Sequence, residues 1–152
     1  TDGRLYYDNH GNEFKAFHVH DGHGMKMLQN AGVSVAIITA RESELVNKRM
    51  RDLGIDLVFQ WARNKLAAFD SLLTKLSLEP EQVCYLGDDY LDLPVMRRCG
   101  LSIAVANAQP LIKQHAHFIT QNKGGEGAAR EVCELILQAQ QKLDHIIAHY
   151  LS

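Results

Sequence analysis

Apolar runs long enough for one strand each recur along this chain: residues 33–39 (VSVAIIT), 57–61 (LVFQW), 83–87 (VCYLG) and 101–106 (LSIAVA). Residues 33–39 are nearly continuous in apolar character and rich in β-branched residues, so they read as a strand covered on both faces; 83–87 reads as the next buried strand, 57–61 as a short strand and 101–106 as a further one. Between them the apolar spacing turns helical. Leu45, Val46, Arg49, Met50 and Leu53 mark a helix over 42–53, with Gly54 behind it, and Leu66, Phe69, Leu73 and Leu76 mark another over 64–76. Strands alternating with helices predict a mostly parallel sheet joined by crossover helices. In such sheets ligands gather at the carboxyl ends of the strands. Two polar clusters follow buried runs directly: Thr39-Ala40-Arg41 and Gly87-Asp88-Asp89.

The flanks complete the pattern. Residues 4–19 read as a β-hairpin around the turn letters DNHGN at 8–12, which places His18 in its second strand, and with it His20. A helix over 21–31 follows, with Asp21 as its cap and Gly32 at its end. A short helix starts near Asp92 with Pro94 in its first turn. Residues 117–120 (HFIT) form a last strand, and a final helix runs from 127 towards 150. The 152 residues suit one domain, and the net charge of −2 gives no reason to expect nucleic acid or an anionic membrane. No apolar run reaches the ~20 residues of a membrane span. The three cysteines, Cys84, Cys99 and Cys133, lie in apolar contexts and read as reduced thiols, which favours the cytoplasm.

The carboxylates carry the chemistry. Asp88, Asp89 and Asp92 crowd the end of a strand, where two like charges ~4 Å apart cost about 4 kcal/mol at an effective dielectric near 20. A cation offsets that cost, and oxygen ligands with few carboxylates suit Mg²⁺. The plainer reading is that Asp92 caps a helix and Asp89 faces solvent, and the two readings can coexist. Thr39 stands three residues before Glu42, the spacing of a capping box, and its hydroxyl with the helix start would equally receive a phosphate. Arg41 could grip a carboxylate or phosphate through two bonds. Lys65 is an ordinary solvated lysine unless anions lie nearby. The histidines 18, 20 and 23 lack a fourth ligand and do not make a zinc set. The glycine-rich loop 122–131 could receive an anion at its N–H groups, helped by Arg130.

In this order, Thr39 after a strand, Lys65 on a helix and GDDYLD at 87–92 resemble the second, third and fourth motifs of the haloacid dehalogenase (HAD) phosphohydrolase superfamily. Within it the stretches AIITARES, RNKLAAF, GDDYLDLPVM and GGEGAAREV are similar to the small branch of 3-deoxy-D-manno-octulosonate 8-phosphate (KDO 8-phosphate) phosphatases. That resemblance implies a cap-less HAD-like Rossmannoid three-layer sandwich over residues 1–152, with the hairpin in place of a cap domain. It implies Mg²⁺ at Asp88 with Asp89 and Asp92 in support, and Thr39 and Lys65 on the phosphoryl oxygens. Arg41 and Arg130 are then candidates for the substrate carboxylate. It further implies a homotetramer with the site at a subunit interface.

The family's first motif, Asp-x-Asp-Gly-x-x-Thr-Asp-Gly, is met only by its tail, Thr1-Asp2-Gly3. The resemblance therefore places the aspartate nucleophile and the acid/base before Thr1, on the middle strand of the sheet, and without that strand two sheet edges stand open. Alternatives are a non-catalytic HAD-like module serving assembly, a phosphatase of a nine-carbon sugar acid, and a phospho-receiver domain. In the last, the acidic pair would precede the threonine rather than follow it.

Overall fold

The computed structural model describes residues 1–151; Ser152, where the predicted domain ends, lies outside them. β1 (Tyr6–Tyr7) and β2 (Glu13–Phe14) form the predicted antiparallel hairpin. The Asp8 carboxylate closes its turn, accepting the backbone N–H groups of His10 and Asn12, both at 2.8 Å. Gly11 supplies the left-handed φ of 83° that the turn requires. The chain then runs through α1 (Val19–Asn30), β3 (Ala36–Ile38), α2 (Glu44–Leu53), β4 (Leu57–Phe59), α3 (Lys65–Leu76), β5 (Cys84–Gly87), α4 (Leu93–Met96), β6 (Leu101–Ala104), α5 (Pro110–Gln114), β7 (Phe118–Ile119), α6 (Ala128–Ala139) and α7 (Leu143–Leu151).

β3 pairs with β4 in parallel, and β5, β6 and β7 form a second parallel sheet in that order. Among the described residues only β6 has a neighbour on each side, and Ser102, Ile103 and Ala104 are accordingly buried. β3 and β5 were expected to be covered on both faces. They are half-buried up to Gly87, because each is the open edge of its sheet. The two edges still share a core: Ile38 of β3 and Tyr85 of β5 both pack on Phe69, Leu73, Val95 and Cys99. Ile37 and Val35 pack instead on Met50, Leu53 and Ile55. Successive residues of a strand face opposite sides, so helices cover both faces of this sheet, as the three-layer reading expects.

Two helix boundaries differ from expectation. His18 and His20 leave the predicted strand for the N-cap and first turn of α1. Asp21 does not cap its own helix. Its Oδ1 accepts the Arg130 backbone N–H at 3.0 Å, in the first turn of α6. Gly127, ahead of α6, has no side chain to fill that role, so a buried carboxylate from α1 takes the orphan donor and meets the positive helix end.

The predicted long final helix breaks into α6 and α7, with Gln141 at φ 57° between them. The break lets Leu143 and Ile146 fold onto Met27, Leu28, Cys133 and Leu137. Apolar burial at ~0.8 kcal/mol per CH₂ outweighs the ~1–2 kcal/mol of one left-handed residue. The Lys142 ammonium secures the corner by donating to the Ala31 carbonyl at 2.8 Å.

Candidate active site

The end of β5 turns so tightly that a Cβ on Gly87 would lie 2.7 Å from the Asp92 Cβ. Glycine permits that closure, and the following 3-10 turn (Tyr90–Asp92) carries Asp92 back beneath the strand, where it is 1% exposed. A carboxylate so deeply buried must be paired and hydrogen-bonded. Asp92 Oδ1 accepts the Lys65 ammonium at 2.5 Å and the Tyr85 hydroxyl at 2.7 Å. Its Oδ2 accepts the backbone N–H groups of Asp88 at 3.0 Å and Asp89 at 3.1 Å. Burial alone would raise Asp92, but Lys65 and the donors from Asp88 and Tyr85 prevail and hold it below the ordinary carboxylate range. Tyr85 moves up, first through burial and then through the charge of Asp92.

Asp92 thus locks two motifs into one piece. Lys65 reaches it from the first residue of α3, a helix capped by Asn64, whose side chain accepts the Ala67 N–H at 3.2 Å. Asp88 has the opposite situation. As a residue it is open to solvent, yet its carboxyl lies against the loop and beside Asp92. Burial of the carboxyl and then that like charge push it above the ordinary range. The negative charge of Asp92 that favours a proton there would also attract a cation.

The donor set decides which metal would fit. Asp92 is occupied by its four donors, whereas Asp89 gives only one oxygen to the Tyr90 N–H at 2.8 Å. Asp88, with Asp89 beside it, could hold an ion. Among the described residues no three His, Cys, Asp or Glu side chains surround a common position. A strand end with one or two available carboxylates fits Mg²⁺, which keeps most of its waters, and does not fit zinc, which wants three or four protein ligands.

The other loop starts at the end of β3. The Thr39 N–H donates to the Phe59 carbonyl at 2.8 Å, and its Oγ1 accepts the Arg41 N–H at 3.2 Å. The capping box with Glu42 does not form, because α2 begins at Glu44, with Ser43 at the N-cap position. The Ser43 N–H donates to the Gln60 amide oxygen at 2.6 Å instead. Arg41 leans towards the hairpin, its Nη2 donating to Tyr7 Oη at 3.1 Å and Glu13 Oε1 at 3.2 Å. Glu13 also accepts the Lys15 ammonium at 2.9 Å and the Ser43 hydroxyl at 2.8 Å, which hold it below the ordinary range.

Comparison with known proteins settles the kinship. The haloacid dehalogenase-like hydrolase family profile matches residues 58–132. The 3-deoxy-D-manno-octulosonate 8-phosphate phosphatase of Yersinia pestis is 50% identical over 144 residues, covering 95% of this chain and 77% of that protein. The Moraxella catarrhalis phosphatase of that name, solved with magnesium, phosphate and KDO, superposes with a TM-score of 0.96 at 42% identity, over 98% of this chain and 86% of that one. The cobalt-bound Haemophilus influenzae counterpart has a TM-score of 0.90 at 43% identity, covering 94% of this chain and 84% of that one. This chain belongs to the haloacid dehalogenase-like hydrolases.

For a haloacid dehalogenase-like hydrolase, Lys65, Asp88, Asp89 and Asp92 are gathered by direct bonds, and Thr39 and Arg41 stand at the end of the neighbouring sheet. Arg130 lies in a different cluster. Its Nε donates to Glu134 at 2.6 Å and its Nη1 to His23 Nδ1 at 3.2 Å. The glycine-rich loop lies against the backbone of the first residues. A Cβ on Gly125 would lie 2.3 Å from the Asp2 nitrogen, so that loop is the seat of residues 1–2.

Sequence reasoning missed three residues that shape this hydrolase. Tyr85, a polar tip within an apolar run, was the legible one, since a buried tyrosine hydroxyl needs a partner. The contacts of Gln60 with Ser43 and of Glu13 with Arg41 and Ser43 gave no local signal, because they span 17 and 28–30 residues.

Proposed function

We propose that this chain is a Mg²⁺-dependent phosphatase that hydrolyses KDO 8-phosphate to KDO and phosphate, in the cytoplasm, as a step of lipopolysaccharide biosynthesis. The carrying observation is the Asp92 hub, which fixes the Lys65 ammonium at 2.5 Å beside the Asp88 loop at the carboxyl end of β5. Lys65 and Thr39 bind and orient the phosphoryl oxygens, so fixed donors await the charge that develops there. Mg²⁺ held at Asp88 supplies neutralisation of the phosphate charge. Arg41, steered by Glu13, takes the sugar-acid carboxylate, with Arg130 as a second candidate.

The nucleophilic and acid/base aspartates belong, in this reading, to a strand between β3 and β5. The open edges that share the Phe69 and Leu73 core support that placement. Exposed Leu5, Tyr6, Tyr7 and Phe14 on the hairpin support assembly into a homotetramer. No helix among the described residues is long and apolar enough to cross a membrane. The free thiols of Cys84, Cys99 and Cys133 suit a reducing compartment.

The test is phosphate release by the full-length protein, across eight- and nine-carbon sugar-acid phosphates. KDO 8-phosphate should give the highest kcat/KM, and Asp88→Ala should abolish turnover with Mg²⁺. A higher kcat/KM on a nine-carbon ester would overturn the substrate. Full activity of Asp88→Ala would overturn the metal assignment.

A further inference from the structure

Trp61 is the one tryptophan of the chain, and it is 59% exposed. It also holds a φ of 55°. A bulky aromatic in the left-handed region is an outlier that the surroundings must impose. They do so through the active-site loops. The Ala62 N–H donates to the Thr39 carbonyl at 3.0 Å, the Trp61 N–H to the Arg41 carbonyl at 3.4 Å, and the Arg63 N–H to the Trp61 carbonyl at 2.9 Å. The residue is therefore stitched to Thr39 and Arg41 on one side and precedes Lys65 by four positions on the other. Glycine would take this φ without strain. The fold does not use the indole as core, since most of it faces water. Neither the backbone nor the packing explains a tryptophan here.

We infer that Trp61 is a specificity-determining residue of the active site: its indole forms a wall against which the carbon chain of the sugar-acid phosphate lies while Thr39 and Lys65 hold the phosphate. This rests on the sugar-phosphate reading above. An indole suits such a ligand. Its face takes the C–H edge of a polyol chain, its N–H can donate to a hydroxyl, and it loses little rotamer freedom on binding. Arg41 and Arg63 are tied to it by backbone bonds, so two cationic residues belong to the same loops and could meet the acid end of the ligand. A wall that meets the sugar equally in the ground and transition states lowers KM and leaves the rate of phosphoryl transfer unchanged.

The single tryptophan makes the test direct. With Mg²⁺ present, KDO should shift or quench the intrinsic fluorescence of the full protein, and inorganic phosphate alone should change it far less. Trp61→Gly should raise KM for KDO 8-phosphate about tenfold, as loss of one aromatic contact does, with kcat and the inhibition constant of inorganic phosphate moving less than twofold. Its melting temperature should hold or rise as the strained φ is relieved, and Trp61→Tyr should recover most of the affinity. Fluorescence blind to KDO would overturn the inference, and so would a Trp61→Gly variant with unchanged KM. A Trp61→Gly variant with altered oligomeric mass would mean that the indole meets a second copy of the chain, and this too would overturn it. If the wild-type protein turns over another sugar phosphate but not KDO 8-phosphate, the substrate assignment fails. The same measurements on the accepted ester then judge Trp61 separately.

Discussion

Replacing Asp92 with alanine removes the acceptor of four hydrogen bonds at once, from Lys65, Tyr85, Asp88 and Asp89. The ammonium left behind is enclosed, since the Lys65 side chain is 13% exposed. Breaking a buried ion pair on one side costs about 3–5 kcal/mol. The lower end applies, because Asp88 and Asp89 are exposed and water can replace the acceptor of their N–H groups. About 3 kcal/mol corresponds to a fall in Tm of roughly 6–12 °C for a domain of this size. Urea denaturation followed by circular dichroism gives the free energy directly. Asp92→Asn keeps one oxygen for the backbone donors and should lose about half as much. The decisive variant is Lys65→Met with Asp92→Ala. If the penalty comes from an unpaired ammonium, this double variant lies within about 1 kcal/mol of Lys65→Met alone. Strict additivity of the two single changes, or an Asp92→Ala variant within 1 kcal/mol of wild type, would refute the hub.

Acid should act on the same carboxylate. Asp92 is held below its ordinary range in the folded state, so its stabilising contribution is complete above that range and is lost as pH falls through the lower folded value. The wild-type protein should therefore lose stability on acidification more steeply than Asp92→Asn, in denaturation curves taken from pH 6 downward. Asp88→Ala should abolish Mg²⁺-dependent turnover while Tm holds or rises, because a carboxyl pushed up by burial and by Asp92 disfavours the folded state when ionised; a marked loss of Tm would show that Asp88 is structural. Gly125→Ala combines a φ of 74° with a Cβ 2.3 Å from the Asp2 nitrogen, so residues 1–2 should lift from the loop and become sensitive to limited proteolysis. Glu13→Ala should raise KM for the sugar-acid phosphate severalfold through Arg41 and leave kcat within about twofold.

Much of the layer order was readable, because β-branched runs and helical spacing are local properties. What the runs could not tell was their burial. Residues 36–38 carry the letters of a covered strand, yet coverage depends on a neighbour that β3 has on one side only. The break at Gln141 carried no glycine or proline to announce it; it follows from where Leu143 and Ile146 find apolar surface. Asp21 had the composition of a local cap and became a distant one, through a bond spanning 109 residues. At the site, the motif order alone grouped Lys65 with the aspartates. Their division of labour was hidden. Asp92 turns inward because Gly87 lets the chain fold over it, and that leaves Asp88 outward.

The bonds from Glu13 to Arg41 and Ser43 make the hairpin and the substrate loop a single mechanical part. A load placed on the hairpin's outer face, where Tyr6 and Phe14 stand exposed as a cross-strand pair, is transmitted through Tyr7 and Glu13 to the guanidinium without passing through the sheet. Catalytic behaviour on dilution would then be a property of the hairpin. In the homotetramer proposed above, separating the copies would take away the backing of Arg41, and apparent affinity for the sugar acid would drift with enzyme concentration while the Asp92 hub stayed as it was.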